Sequence, residues 1–261
     1  MASLERRLVA AALALAATAH ASDNQDCTAA QLAPVDAWLA QHPWHAGRTS
    51  PDTLVASACK PSPADRRVTI VAAAYDSGDE YSRNLVVALV GRQVQSAFTG
   101  TIEQDASLRI LDGSLRLDTA RYDLAPGVRA FGLDLSSGQA GPHCADGGSG
   151  PTRTLFVRDG AALRPVLPGV ELMSWRAEGG SAPCPEAEGA TDLGVIATTT
   201  TTLAVAPHAT HGYADLVLTS VVDIHPGHPR RVVLHYDGSA YAGQGVESWR
   251  RPIVPDSGHT H

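Results

Sequence analysis

Apolar and polar positions follow the pattern of short β-strands over most of the chain, from residue 68 onwards. Three segments share one plan, in which an apolar run is followed by a polar loop and a hairpin. Asp159-Gly160 and Asp237-Gly238 each separate two β-prone runs, and the glycine supplies the positive φ that a tight hairpin turn needs. The pattern therefore predicts antiparallel strands joined as meanders, with apolar runs at residues 68–75, 128–135 and 214–222.

The repetition predicts about three four-strand units across residues 64–261, because two units have a further strand candidate upstream, at 114–117 and 194–205. Arg153 and Arg231 occupy equivalent positions, each six residues before the aspartate of its turn. A separate hairpin is predicted on either side of Asp112-Gly113. We expect an all-β domain that is propeller-like, with a β-sandwich as the alternative.

The chain before this domain has a helical pattern. We expect residues 22–63 to form a small helical appendage closed by a disulfide. Ser50-Pro51 is typical of the start of a second helix there. The first helix is indicated by apolar positions at helical spacing: Leu32, Val35, Trp38 and Leu39.

Residues 1–21 have the features of a secretory signal peptide. Arg6 and Arg7 precede an apolar run that is too short to span a bilayer. Ala19 and Ala21 then stand at the −3 and −1 positions of a cleavage site. We therefore expect a periplasmic or secreted protein that does not insert into the membrane.

The chain has four cysteines, Cys27, Cys59, Cys144 and Cys184. An even number in an oxidising compartment favours two disulfides, and their order suggests Cys27–Cys59 and Cys144–Cys184, although three pairings are possible. A zinc site is the alternative, but no pair has the CxxC spacing.

The charge balance argues against nucleic acid as a partner. The full chain has 20 basic and 27 acidic residues and a net charge of −7. Cleavage of the signal peptide removes Glu5, Arg6 and Arg7 and brings the net charge to −8. An acidic surface repels both nucleic acid and anionic membranes.

Paired histidines are the first candidates for chemistry. His208/His211 and His225/His228 have H-x-x-H spacing, and imidazole is the commonest ligand of zinc and copper. Adjacent prolines argue against a regular helix, so this spacing alone does not bring two rings to one point. Solvated loop histidines are the alternative interpretation.

An acidic loop is the second candidate. Asp76, Asp79 and Glu80 follow the first long apolar run, and calcium needs several oxygen ligands close together. The loop lacks the D-x-D-x-D-G pattern of known calcium loops, so a solvated acidic face is the alternative. No cofactor is expected, although zinc, copper or calcium would fit these two candidates.

Two stretches resemble known families. Asp118 to Tyr122, followed by Leu124 to Gly132, resembles uncharacterised exported proteins of proteobacteria. Ala214 to Leu218, followed by Tyr236-Asp237-Gly238, is similar to FG-GAP-type propeller repeats but lacks their calcium loop. The resemblance implies export and, for the second family, a propeller, and it assigns no site residue.

The common catalytic signatures are missing from the sequence, including G-x-S-x-G, H-E-x-x-H, the P-loop and G-x-G-x-x-G. Export and disulfides without such a signature favour a non-catalytic binding protein. Its expected partner is an unknown protein or glycan of the cell envelope. A loop-sited hydrolase, possibly metal-dependent, and a structural envelope component are the alternatives.

Overall fold

The computed structural model describes residues 25–42, 53–139, 145–179, 195–242 and 252–256. The predicted signal peptide, Cys144, Cys184 and Ser50-Pro51 lie outside these ranges. Within them the protein is all-β with one short helix, as the sequence predicts. In chain order the elements are α1 (Ala29–Leu39), β1 (Leu54–Pro61), β2 (Thr69–Asp76), β3 (Ser82–Val90), β4 (Val94–Glu103), β5 (Leu115–Ala125), β6 (Val128–Leu135), β7 (Gly147–Ser149), β8 (Thr152–Asp159), β9 (Ala162–Glu171), β10 (Met173–Glu178), β11 (Val195–Thr210), β12 (Tyr213–Val222), β13 (Arg230–Tyr236), β14 (Tyr241–Ala242) and β15 (Ile253–Pro255).

The first sheet is a curled, half-barrel-like layer with the strand order β1-β2-β3-β4-β9-β8-β6-β5, and β15 pairs with β4. Its one parallel contact among the described strands joins β4 to β9 at Ala97 and Ala162. The curl brings the two outer strands, β1 and β5, close to each other. The apolar side chains inside the curl form one core cluster, which includes Ile70, Leu85 and Phe156.

Gln25 links these two outer strands. The Cys59 amide of β1 donates a hydrogen bond to the Gln25 carbonyl at 2.6 Å. On the other side, the Leu117 amide of β5 donates to Gln25 Oε1 at 2.7 Å, and Gln25 Nε2 donates back to the Leu117 carbonyl at 3.2 Å. Gln25 is held near β1 by the disulfide that the sequence predicts between Cys27 and Cys59.

The second sheet has the order β14-β13-β12-β11-β10-β7. It covers the outer face of β5, β6, β8 and β9, where Leu155 and Val166 pack with Leu216 and Leu234 of the second sheet. Helix α1 covers the outer face of β2 and β3, and its fully buried Val35 packs there with Val71 and Val86. β2, β3 and β6 are therefore buried on both faces, which explains their uninterrupted apolar runs.

Several local predictions are confirmed. The runs at 68–75, 128–135 and 214–222 correspond to β2, β6 and β12, and the strand candidate at 194–205 corresponds to the first part of β11. Both Asp-Gly turns join antiparallel strands, with Gly160 at a φ of 60° and Gly238 at a φ of 104°.

The predicted second helix is wrong, because residues 54–61 form β1 and pair with β2. Ala56 and Ala58 of β1 fill the inner core, so sheet pairing and burial outweigh a local helix signal. The predicted hairpin at Asp112-Gly113 is also wrong in its first arm. There, Ile110 donates its amide to Gln104 Oε1 at 2.7 Å, so a side chain replaces a strand partner.

The propeller-like arrangement is not confirmed. Strands of the first two predicted units, β2-β3-β4 and β6-β8-β9, belong to one continuous sheet, whereas β11, β12 and β13 belong to the other. A propeller blade is a separate four-stranded sheet, so the units differ from blades in their hydrogen bonding.

The turn at Asp237 makes stability depend on pH. Asp237 Oδ1 accepts hydrogen bonds from the amides of Ala240 at 2.8 Å and Ser239 at 2.7 Å, which lower the pKa of Asp237 from 3.8 to about 2. The carboxylate therefore stabilises the fold above pH 3.8, and we expect this contribution to be lost as the pH falls through about 2. Urea unfolding of the wild type and of Asp237→Asn between pH 2 and pH 6 checks this, since the variant should lack that part of the pH dependence. An NMR titration that places the pKa of Asp237 near 3.8 would contradict it.

Candidate functional site

A cavity of about 270 Å³ lies at one end of the curled first sheet. It is bounded by the loop from β1 to β2, the start of β4, the turn from β5 to β6, and the end of β8. Val68, Leu89 and Phe131 line its apolar part and belong to the inner core. Its volume is just below the range of roughly 300–1,000 Å³ that suits drug-sized ligands, so it suits a smaller molecule.

Arg129, which lines the cavity, has one donor without a partner among the described residues. Its Nη1 donates to Asp123 Oδ1 at 2.7 Å. Its Nε is buried, and no hydrogen-bond acceptor lies within reach among the described residues. A buried donor left unsatisfied costs about 1–3 kcal/mol, and more when it is charged, so the Arg129 side chain gains stability if it turns to reach an acceptor.

The remaining charges at the cavity leave it electropositive. Arg158 also lines the cavity, and it donates to neutral oxygens, to the Gly160 carbonyl at 3.2 Å and to Gln95 Oε1 at 3.5 Å. Asp65 is the acidic residue of the lining, and the Arg67 guanidinium donates to both of its oxygens at 3.0 and 2.9 Å. These hydrogen bonds hold the pKa of Asp65 below its ordinary value and offset its charge.

The sequence-predicted histidines do not come together. His208 and His211 lie near the start of β12, whereas His225 and His228 lie beyond its end. Because β12 has ten residues, the two pairs are separated by about 30 Å along the strand. His211 is engaged locally, since its Nδ1 lies 2.9 Å from the Tyr236 carbonyl oxygen. The four histidines therefore do not form one metal site.

In the predicted acidic loop, the aspartate carboxylates accept hydrogen bonds from backbone amides of the loop itself. Asp76 Oδ1 accepts from the Gly78 amide at 3.1 Å, and Asp79 Oδ1 accepts from the Tyr81 amide at 3.0 Å. The neighbouring Glu80 carboxylate raises the pKa of Tyr81. No group of three or more His, Cys, Asp or Glu side chains placed to bind one metal ion occurs in the described parts of the chain. Metal binding at the predicted residues stays a prediction.

A buried ionic network was not predicted from the sequence. Arg153 of β8 donates two hydrogen bonds to Asp134 of β6, at 2.6 and 2.7 Å, and one to the Tyr122 hydroxyl at 2.6 Å. Asp118 of β5 contacts both the same guanidinium and the Tyr122 hydroxyl. Burial, followed by the hydrogen bond to Asp118, raises the pKa of Tyr122 above its ordinary value. Every described member is bound to another, so the network serves to join β5, β6 and β8.

None of the sequence-predicted site residues lines the cavity. Arg129 and Arg158 carry no motif, and only the approach of the β5–β6 turn and the end of β8 places them together. No helix among the described residues has the length and apolar character needed to cross a membrane. Comparison with models of protein families, with curated proteins and with solved structures finds no match for this chain.

Proposed function

We propose that the protein is an exported, non-catalytic binding protein, and that the cavity at the end of the first sheet binds a small organic anion with an apolar body. The observation that carries this proposal is the Arg129 guanidinium in the lining of a cavity with an apolar floor, with its Nε unpartnered among the described residues. A carboxylate suits the site, because guanidinium groups bind carboxylates through parallel hydrogen bonds and Arg158 adds a second positive charge.

Export is supported by the N-terminal sequence pattern and by the Cys27–Cys59 disulfide, which is typical of an oxidising compartment. The hydrolase and the structural envelope component remain alternatives. Conversion of a bound ligand would favour the first, whereas failure to bind any small molecule would favour the second.

The ligand class is tested with hexanoate and benzoate against their neutral counterparts hexanol and benzyl alcohol. We expect calorimetry or NMR shifts of residues at the cavity to show binding of the acids and weaker binding of the alcohols. Arg129→Gln should weaken binding of the acids by about 10- to 150-fold, which corresponds to the about 1.5–3 kcal/mol of a hydrogen bond to a charged group.

Arg121→Gln is the matched control. Arg121 contacts the same Asp123 carboxylate at 3.6 Å, but its side chain is 86% exposed and lies outside the lining of the cavity. We expect this variant to bind the acids as the wild type does. Equal losses in the two variants, or equal binding of acids and alcohols to the wild type, would refute the proposed ligand class.

A further inference from the structure

Asp215 is a buried carboxylate that lacks one of its partners. It lies in β12 of the second sheet and is 5% exposed. Its Oδ2 is 3.1 Å from Nδ1 of His235 on the neighbouring strand β13. Its Oδ1 is also buried and has no hydrogen-bond partner among the described residues. Such an atom calls for an explanation, and a cation bound at Oδ2 would offset the charge of the whole carboxylate.

A third side-chain atom that could bind a metal ion contacts the same imidazole nitrogen. Thr210, the last residue of β11, has its Oγ1 at 3.3 Å from His235 Nδ1. The three side chains thus come from three adjacent strands, close to the turn between β11 and β12. The β-ladder fixes their backbones, so the cluster is built on rigid elements.

The distances suit a coordination shell. Zinc binds imidazole nitrogen and carboxylate oxygen at about 2.0–2.2 Å, and two such atoms in a tetrahedral shell are then about 3.3–3.5 Å apart. The separations of 3.1 and 3.3 Å around His235 Nδ1 are close to that value. At bond lengths of about 2.0–2.2 Å to both atoms, an ion lies to one side of the line from Nδ1 to Oδ2, so binding turns the carboxylate away from its contact with Nδ1.

The cluster is also accessible. The side chain of His235 is 59% exposed, whereas that of Asp215 is 7% exposed. An ion therefore reaches the site from the exposed side of the imidazole and contacts the buried carboxylate of Asp215. A buried carboxylate with an incomplete set of partners is destabilising, and a cation offsets that cost.

We propose that Asp215, His235 and Thr210 bind a divalent transition metal ion of the zinc–copper class. The ion binds His235 Nδ1 and gains the Asp215 carboxylate as a second ligand. Thr210 Oγ1 and water complete the shell, so the site keeps open positions. One imidazole and one carboxylate suit zinc or copper better than calcium, which needs six to eight oxygen ligands. This site differs from the predicted pairs at His208/His211 and His225/His228.

The experiment titrates the purified mature protein with Zn²⁺, Cu²⁺ and Ca²⁺, and follows the thermal midpoint and the NMR signals of the His235 ring. We expect one equivalent of Zn²⁺ or Cu²⁺ to bind, to raise the midpoint and to shift the His235 signals, whereas Ca²⁺ has no effect. His235→Gln should weaken binding at least about tenfold, a loss that even outer-shell partners of a metal produce.

Asp215→Asn tests the carboxylate in the same way. His225→Gln is the control, because His225 is an exposed loop histidine that no described carboxylate contacts, and it should leave affinity unchanged. The proposal fails if the wild type binds no zinc or copper at millimolar concentration. It also fails if folded His235→Gln binds as tightly as the wild type, or if His225→Gln abolishes binding. Because His235 is exposed, its replacement leaves the fold intact and keeps the test decisive.

Discussion

Replacing Arg153 by methionine is expected to lower the free energy of unfolding by about 3–5 kcal/mol, the cost of removing one partner from a buried ion pair. The Arg153 side chain is 15% exposed and that of Asp134 is 6% exposed, so water cannot replace the lost guanidinium. The Asp134 carboxylate would lose both of its hydrogen bonds, and Asp118 and Tyr122 would each lose one contact. Urea unfolding at pH 7 measures the change.

Two further variants separate this effect from general damage. Arg121→Met removes an arginine whose side chain is 86% exposed and should change stability by less than about 0.5 kcal/mol. The double variant Arg153→Met with Asp134→Leu removes the buried carboxylate together with its partner, and should recover part of the loss. A cost below about 1 kcal/mol for Arg153→Met would mean that the network contributes little to stability.

Replacing Cys27 and Cys59 by serine is expected to lower the free energy of unfolding by about 3–4 kcal/mol. The disulfide joins residues 32 positions apart, and closing a loop of that size restricts the unfolded chain by about this amount. Calorimetric or urea unfolding of the double variant measures the change. The variant is preferred to a reducing agent, which would also open the Cys144–Cys184 disulfide that the sequence predicts.

The same substitution should weaken the hydrogen bonds through which Gln25 connects β1 and β5. Without the disulfide, Gln25 loses its covalent tether, and we expect hydrogen exchange to accelerate at the amides of Leu117 and residue 59. Gln25→Ala with the disulfide intact is the control, and it should accelerate exchange at Leu117 at a smaller cost in stability. Unchanged exchange in the cysteine variant would contradict the role assigned to Gln25.

Local sequence patterns correctly predicted the strands, turns and helix whose structure depends mainly on residues close together in the chain. The consecutive apolar residues of β2, β6 and β12 and the Asp-Gly pairs at 159–160 and 237–238 identified strands and turns to within about two residues. Helical spacing correctly indicated α1. In each of these segments, backbone preference and burial favour the same structure, so the sequence pattern is a sufficient guide.

Local patterns failed where a distant segment supplies the partner. Residues 54–61 form a strand because β2 pairs with them, and residues 108–111 do not because side chains satisfy their backbone. Arg153 and Arg231 show the same limit. They occupy equivalent positions before an Asp-Gly turn. Arg153 is largely buried and contacts the carboxylates of Asp118 and Asp134, whereas Arg231 is exposed.

The amino-acid sequence alone was enough for the all-β class and for the Asp-Gly turns at 159–160 and 237–238, and the order of the cysteines suggested the Cys27–Cys59 pair. Only the tertiary structure decided which side chains meet, as Arg129 and Arg158 do at the cavity and Asp215 and His235 do on neighbouring strands. The physical reason is that a period of two residues specifies which face of a strand is buried but not which strand lies beside it. That choice depends on how the sheet curls and on what covers it, and these depend on contacts between residues far apart in the chain.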